Sequence, residues 1–363
     1  MKKKVGIVGK RGLFTMAGFM SSSDVVVEAF CDLDEDVLKK AAKDYGIPKT
    51  YRVYEDMLAS DIDAVVVATP MHYHVPQTLQ ALEAGKHVLC EVTAGVSMEE
   101  LWWLKEAVEK HRKVYMMAEN YCYIPEVKQI EAMVEKGLFG DIYFGEGEYI
   151  DNIQYVIGRS KWRRYWQLGR QGSFYPTHSI GPVMKWFKGD RIKSIICAGT
   201  GKHTAPEFKQ EDTTLALCQL ESGKLVKIRV DCLSNRPHGM TYYSLQGTKG
   251  CYEAPRGLGD DHKIFLTDYT DEFKPEQGPK WRPLKDFNEY LPARYKNATA
   301  EQKASGHWGG DFFIVQDFID SIVKGTKPAV DVYDACEWTA VALLSEISIR
   351  NNGHLMEMPN FRK

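Results

Sequence analysis

Two side chains in the middle of this 363-residue chain are placed to move protons: His178 and Tyr149. His178 closes the run Tyr175-Pro176-Thr177-His178 at the start of a helical stretch near 177–187, and an uncharged imidazole there can take a proton from a substrate. Tyr149 lies in 142–151, whose period-two alternation puts Gly147, Tyr149 and Asp151 on one face. The small and polar neighbours are expected to leave room for a ligand above that face, with a nearby positive charge needed for the phenol to act as a base. Further on, Ser305-Gly306-His307-Trp308-Gly309-Gly310-Asp311 sets a histidine and an aromatic plate on a flexible loop, a pattern suited to a sugar contact. Trp162 and Trp166, beside Arg163 and Arg164, are candidates to cover the same ligand. His72 and His74 stand two apart, but no further ligands assemble around them, so no metal is expected.

A second group of residues lies in the first third. Gly9-Lys10-Arg11-Gly12 follows an apolar strand at 4–8 and opens a helix, the place of a phosphate-binding turn. The full G-x-G-x-x-G fingerprint is absent, with Arg11 at its second glycine and Phe14 at its third. Read with two residues deleted, Gly12 becomes the last glycine, and Asp32, just past the second strand, has the spacing of a ribose-binding acid. No arginine follows Asp32 directly, which favours NAD over NADP. Thr69-Pro70 closes the strand at 64–68, and Glu91 ends the strand at 87–90, where a nicotinamide ribose would lie. The next residue, Val92, can neither donate nor accept a proton. Asn120 and Tyr123, just beyond the strand at 114–118, are expected to line the cleft.

The elements that must position these groups change character along the chain. Over the first 120 residues strands alternate with helical spacings at 34–45, 75–83 and 97–111, the last opened by the capping box Ser97-Met98-Glu99-Glu100. That alternation predicts an α/β fold with an N-terminal Rossmann dinucleotide-binding domain over 1–121. Beyond it, strand-like runs follow one another at 142–151, 192–198, 213–219, 225–231 and 242–246, with helices near 126–136, 177–187, 310–323 and 333–350. This predicts a C-terminal α+β domain over 122–363 with a large, mainly antiparallel sheet, helices on one face, and roles in substrate binding and oligomerisation. Residues 254–305, rich in Pro, Gly and charge, read as a long excursion over the surface.

Composition narrows the partners. A net charge of −2 gives no reason to expect nucleic acid or an anionic membrane, and the apolar runs are strand-sized, too short to span a bilayer. The basic start, Met1-Lys2-Lys3-Lys4, runs into a strand and a glycine turn rather than a signal-peptide core. Eight scattered cysteines with no C-x-x-C pair suit a reducing, cytoplasmic setting. An exposed sheet face would suit a homodimer or homotetramer.

Several segments together resemble the Gfo/Idh/MocA oxidoreductase family over nearly the whole chain. Ala68-Thr69-Pro70-x-x-x-His74 and Ala84-Gly85-Lys86-His87-Val88 are similar to its markers in the cofactor domain. Other segments resemble one branch, the NAD-dependent glycoside hydrolases of family 109. These are Glu91-Val92-x-Ala94, Met117-x-Glu119-Asn120, Gly137-Leu138-Phe139-Gly140 and Tyr175-Pro176-Thr177-His178-x-x-Gly181-Pro182. Gln246-Gly247-Thr248-Lys249-Gly250 and Asp331-Val332-Tyr333-Asp334-Ala335-x-Glu337-Trp338 continue the likeness. The resemblance implies a retained NAD, and the residues expected to hold it are Gly9, Arg11, Gly12, Asp32, Thr69, Pro70, His74, Glu91 and Asn120. It implies that His178 lies against the sugar; His178 and Tyr149 are the expected catalytic groups, and Tyr123, Asp151, Trp162, Tyr175 and His307 the expected contacts to a sugar or glycoside. The reaction implied is redox-neutral: oxidation at sugar C3, loss of the C2 proton with expulsion of the C1 group, water addition and re-reduction. Val92 fits that branch, which lacks the lysine of related dehydrogenases, whereas Thr93 stands where the branch has proline. A sugar dehydrogenase using His178 as base, and a non-catalytic sugar- or dinucleotide-binding protein, are the rival expectations.

Overall fold

Runs of β-branched and small apolar residues, such as Val25-Val26-Val27 and Ala64-Val65-Val66-Val67, build a central sheet in the computed structural model, which describes residues 1–158, 160–237, 240–269 and 280–363. The chain forms two compact units. One comprises Met1–Tyr123, Thr299–Ala340 and Asn360–Lys363, and the other Ile124–Ala298 and Val341–Pro359.

In the first unit the strands are β1 (Lys3–Val8), β2 (Val25–Cys31), β3 (Lys49–Tyr51), β4 (Ala64–Val67), β5 (His87–Cys90) and β6 (Tyr115–Met117). All pair in parallel, in the order β3-β2-β1-β4-β5-β6. Helices α1 (Met16–Met20), α2 (Glu35–Tyr45), α3 (Tyr54–Leu58), α4 (His74–Glu83) and α5 (Met98–His111) make the crossovers. Local signals set their ends. The Asp34 carboxylate accepts from the amides of Asp36 and Val37 at the start of α2, and Gly46 ends it with φ of 66°. Ser97 caps α5 by accepting from the Glu100 amide. The strand order reverses between β1 and β4, the switch point at whose carboxyl ends such sheets bind ligands.

The second unit opens with α6 (Pro125–Glu135), β7 (Ile142–Ile150), α7 (Arg163–Trp166) and α8 (Thr177–Trp186). It continues through β8 (Ile192–Gly199), β9 (Thr214–Leu220), β10 (Leu225–Asp231), β11 (Met240–Gly247), β12 (Gly250–Glu253), β13 (Lys263–Leu266), β14 (Arg282–Pro283) and α9 (Ala293–Lys296). The chain returns to the first unit through α10 (Ala300–Ala304), α11 (Gly310–Val323) and the first half of α12 (Val332–Arg350), and closes the sheet edge with β15 (Met356–Glu357). The nine strands run β14-β13-β12-β11-β7-β10-β9-β8-β15, antiparallel except for β7 with β10. One face is covered by α8 and carries the core, including Ile180, Val183, Val226 and Ile228. On the other face Ile196 lies opposite Leu217, and these two and Leu215 stay about 40% exposed.

Residues 299–340 pack with the first unit: Val315 of α11 fills the space above Gly18, and Gln316 Nε2 donates to the Gly18 carbonyl at 2.8 Å. Two sequence expectations change. The excursion at 254–305 is partly sheet, since β13 and β14 extend the edge, while its stretch 270–279 lies outside the described residues. The turn after β1 enters a 3₁₀ helix over Lys10–Thr15 before the short α1, rather than a single α-helix. Among the described residues no helix is long and apolar enough to cross a membrane.

Candidate active site

At the carboxyl end of β1 the backbone turns where only glycine fits. Gly9 has φ of 90°, and a Cβ there would stand 2.5 Å from the Ala68 carbonyl oxygen. Gly12, whose amide donates to the Gly9 carbonyl at 2.9 Å, would press a Cβ to 2.5 Å from Ile7. The two ends of the fingerprint thus keep their roles of tight turn and close packing. Arg11 sends its side chain across the carboxyl ends of the strands: its Nε donates to Glu91 Oε1 at 2.7 Å. The other oxygen of buried Glu91 accepts from the Val92 amide at 3.0 Å. Asp32, at the end of β2, accepts from the Lys10 amide at 2.8 Å and from the Asp34 amide at 3.0 Å, so its carboxylate is fixed beside the turn. This open turn with an oriented acid beside it fits a dinucleotide, with Thr69 and Pro70 half-buried at the end of β4.

His74 has a supporting place. Its ring is buried, with Nδ1 2.7 Å from the Thr93 carbonyl and Nε2 2.9 Å from the Thr69 carbonyl, tying the strand-end loops together. Burial pushes the imidazole below its ordinary range although both carbonyls favour the charged ring. Val92 is buried, and the Val92–Thr93 peptide is cis.

A second constellation of the first unit joins residues far apart in sequence. Asn120, in the turn after β6, donates from Nδ2 to Asp311 Oδ1 at 2.8 Å, and His307 Nδ1 lies 2.9 Å from the same oxygen. His307 Nδ1 also lies 3.0 Å from Asn120 Nδ2, so the carboxylate and the amide both meet the ring at this nitrogen. Asp311 is buried, while the His307 side chain keeps 28% exposure. The loop that achieves this is left-handed at His307, Trp308 and Gly309, with φ of 54°, 55° and 89°. Gly306 and Gly310 are required by contact: Cβ atoms there would stand 2.1 Å from Asp311 Oδ2 and 2.6 Å from the Asn120 carbonyl oxygen. A histidine backed by a buried carboxylate can take a proton and return it. Tyr123 is fully buried beneath this loop, against Gly310.

In the second unit, Tyr149, Tyr175 and His178 form one aromatic cluster. Ring centroids lie 5.0 Å apart for both Tyr149–His178 and Tyr175–His178, and 5.9 Å apart for Tyr149–Tyr175. Tyr149 Oη donates to Asp151 Oδ2 at 2.8 Å. The expectation of ligand space above Gly147 is overturned, because α8 fills it: a Cβ there would stand 1.9 Å from the Ser179 carbonyl oxygen. The glycine lets helix and strand backbones touch, which is what brings His178 to Tyr149. Tyr243 Oη, donating to the His178 carbonyl at 2.6 Å, and Ser179 Oγ, donating to the Arg229 carbonyl at 3.1 Å, pin the same turn.

Tyr175 itself is held with φ of 78°. The loop before it is anchored by Arg170, which donates from Nε and Nη2 to Glu346 Oε2 at 2.9 and 2.6 Å. The Arg163 guanidinium lies 4.6 Å from the Trp162 ring and 5.5 Å from the Tyr175 ring, so Trp162 joins the cluster through it. Sequence reasoning assigned no role to Asp311, Glu119, Arg170 or Glu346. Asp311, four residues beyond His307 and inside the same quoted loop, could have been found as the carboxylate nearest that histidine in sequence. Glu119, fully buried with Oε1 accepting from the Tyr121 amide at 3.2 Å, stood inside a quoted motif.

Comparison with known proteins agrees with both halves of this layout. Residues 3–119 match the oxidoreductase family model with an NAD-binding Rossmann fold, and residues 123–363 match the C-terminal domain of glycosyl hydrolase 109. A glycosyl hydrolase family 109 protein of Saccharopolyspora erythraea is 30% identical over 99% of this chain and 83% of its own length. One from Shewanella putrefaciens is 28% identical over 98% and 84%. Among solved structures, an oxidoreductase domain protein from Kribbella flavida superposes with a TM-score of 0.81 at 19% identity, covering 99% of this chain and 100% of its own. Levoglucosan dehydrogenase in complex with NADH and levoglucosan gives 0.81 at 17%, with the same coverage. At those identities the structural likeness is one of fold. Matched from end to end in sequence, this NAD-binding enzyme belongs to glycosyl hydrolase family 109.

Proposed function

We propose that the enzyme hydrolyses a glycoside by transient oxidation of the sugar at C3. Bound NAD would supply a reversible two-electron carrier, so C3 can pass from alcohol to ketone by giving up a hydride to it and its hydroxyl proton to water, and regain both with no net redox change. A C3 ketone acidifies the C2 hydrogen, and the base that removes it is His178, with Tyr149 oriented beside it by Asp151. The C1–oxygen bond then breaks as the C1–C2 double bond forms, and water adds at C1 with return of a proton to C2. His307, held against Asp311, starts as the imidazolium, gives a proton to the leaving group and regains one from the attacking water. Gly9, Arg11, Gly12, Asp32, Thr69, Pro70 and Glu91 would hold the cofactor, with His74 and Asn120 supporting the loops around them. Tyr175 and Trp162 would contact the sugar, while Tyr123 supports the His307 loop from below.

The observation that carries this reading is the His178–Tyr149–Asp151 chain: proton-handling groups in contact in the sheet unit, in a protein whose Val92 offers none. Turnover of an aryl glycoside panel in D2O tests it. Release of aglycone with catalytic NAD and deuterium at product C2 is expected, and His178→Ala should abolish release while NAD stays bound. NADH accumulating in proportion to product would instead make the protein a dehydrogenase. Neither signal with NAD bound would leave a binding protein.

We also propose that the open face around Ile196, Leu215 and Leu217 meets a second copy of the chain, and that the enzyme works in a reducing, cytoplasmic setting. The eight cysteines, all of them free, support the second point. Sedimentation of the purified protein would test the first.

A further inference from the structure

A groove of about 530 Å³ lies on the second unit, lined in part by Gln154, Lys161, Arg164, Tyr165, Glu207 and Phe208. We infer that it binds an acidic sugar ring, a uronate, adjoining the sugar that is cleaved; this rests on the glycoside reading above. The size suits a small ligand. Its charge is unbalanced, with two cations against the single carboxylate of Glu207. Neither Lys161 nor Arg164 has a carboxylate partner among the described residues. Arg164 lies 5.2 Å over the Phe208 ring, a stacking that holds the guanidinium plane and leaves its edge to meet an anion. Tyr165 presents an aromatic plate, 69% exposed, of the kind that stacks on the C–H face of a pyranose. Glu207 and Gln154 supply acceptors for ring hydroxyls. A polyphosphate or nucleic acid would be repelled by Glu207, whereas a ring with one carboxylate and several hydroxyls matches every group.

The groove also has a physical connection to the aromatic cluster. Lys161, Arg164 and Tyr165 line it, and the intervening Arg163 guanidinium lies 5.5 Å from the Tyr175 ring and 4.6 Å from that of Trp162. One short segment, 161–165, therefore serves both places. A substrate with a uronate beside the cleaved residue would hold both sides of that segment and settle the Arg163 stack on Tyr175.

Calorimetric titration of the NAD-loaded protein with methyl β-glucuronide and with methyl β-glucoside tests the inference. The glucuronide should bind about tenfold more tightly, as expected for two exposed ion pairs. A Lys161→Ala/Arg164→Ala double variant should lose that preference, and Tyr165→Ala should weaken both ligands alike. Equal affinities, or a glucuronide preference that survives in the double variant, would overturn it. So would inorganic sulfate binding as tightly as the glucuronide, which would mark a bare anion site. Because binding is read without turnover, glucuronide selectivity with no aglycone release on any glycoside would sink the hydrolase reading and leave the groove standing. Aglycone release without selectivity would do the reverse.

Discussion

Gly147→Ala should damage the enzyme far more than a single methyl group suggests. The added carbon would stand 1.9 Å from the Ser179 carbonyl oxygen and 2.8 Å from its carbon, and these are backbone atoms that cannot rotate away. Restoring ordinary contact requires α8 to retreat from β7 by about 1.5 Å. Overpacking of this kind costs about 1–3 kcal/mol. The retreat also strains the hydrogen bonds from Tyr243 to His178 and from Ser179 to Arg229, each contributing about 1 kcal/mol. A total near 3–5 kcal/mol would lower the melting temperature by roughly 10 °C in a unit of this size. Because the displaced turn carries His178, turnover should fall further than stability does. Gly257→Ala is the matched control: nothing lies within 4 Å of its Cβ position and its backbone is not left-handed, so its effect should stay within about 0.5 kcal/mol. Thermal unfolding of both variants with NAD bound, together with aglycone release, gives the comparison. A Gly147→Ala protein that melts with the parent and turns over at its rate would refute the backbone contact as the device that sets His178.

Other perturbations follow from the same geometry. Asp311→Asn removes the anion that holds His307 and should lower kcat about 10- to 100-fold with little change in KM, the worth of a hydrogen bond to a charged group; an unchanged kcat would refute the role. His87 accepts the Val114 amide at 3.0 Å, and burial, with Lys113 and Lys3 nearby, lowers its pKa to about 4. The folded state therefore resists protonation that the unfolded state accepts. The His87 contribution should be full above about pH 6.5 and be lost as pH falls towards 4, so His87→Asn should flatten the acid limb of a stability–pH curve. An unaltered limb in that variant would count against it. Asp32→Ser removes the acid fixed beside the phosphate turn, and the preference for NAD over NADP in direct binding should shrink at least about tenfold. A preference that held would show Asp32 is not the ribose partner.

The elements that carry chemistry were the most legible. Helices α8, α11 and α12 lie within a residue or so of their expected bounds, because each is a sustained run of apolar and small residues, ten or more long, that is buried on most sides. Strands β3, β12, β13, β14 and β15 were missed because two to four residues carry no usable alternation, and they lie at or near sheet edges where propensity is weak. The pairing of His307 with Asn120 was hidden for a different reason. Their 187-residue separation is a property of the chain's return to the first unit, and no local pattern records such a return. Gly147 was read correctly as small and wrongly as open. Sequence gives the volume a residue leaves and not which neighbour takes it, and here a helix backbone does.

The phosphate turn shows how a broken signature can keep its function. Of the three glycines a dinucleotide fingerprint uses, the outer two are needed for a backbone turn and for strand–helix contact, and Gly9 and Gly12 still meet those demands at 2.5 Å. The middle one is needed because a side chain there would ordinarily stand in the way of the pyrophosphate. Arg11 sends its guanidinium to Glu91, whose carboxylate would otherwise be a buried charge held by one amide alone. Arg11 thus puts a cation beside the phosphate turn, and in the same contact stabilises the strand end next to Val92. With Glu91 held by the Arg11 guanidinium and by the Val92 amide, the strand end is closed without a charged group at residue 92.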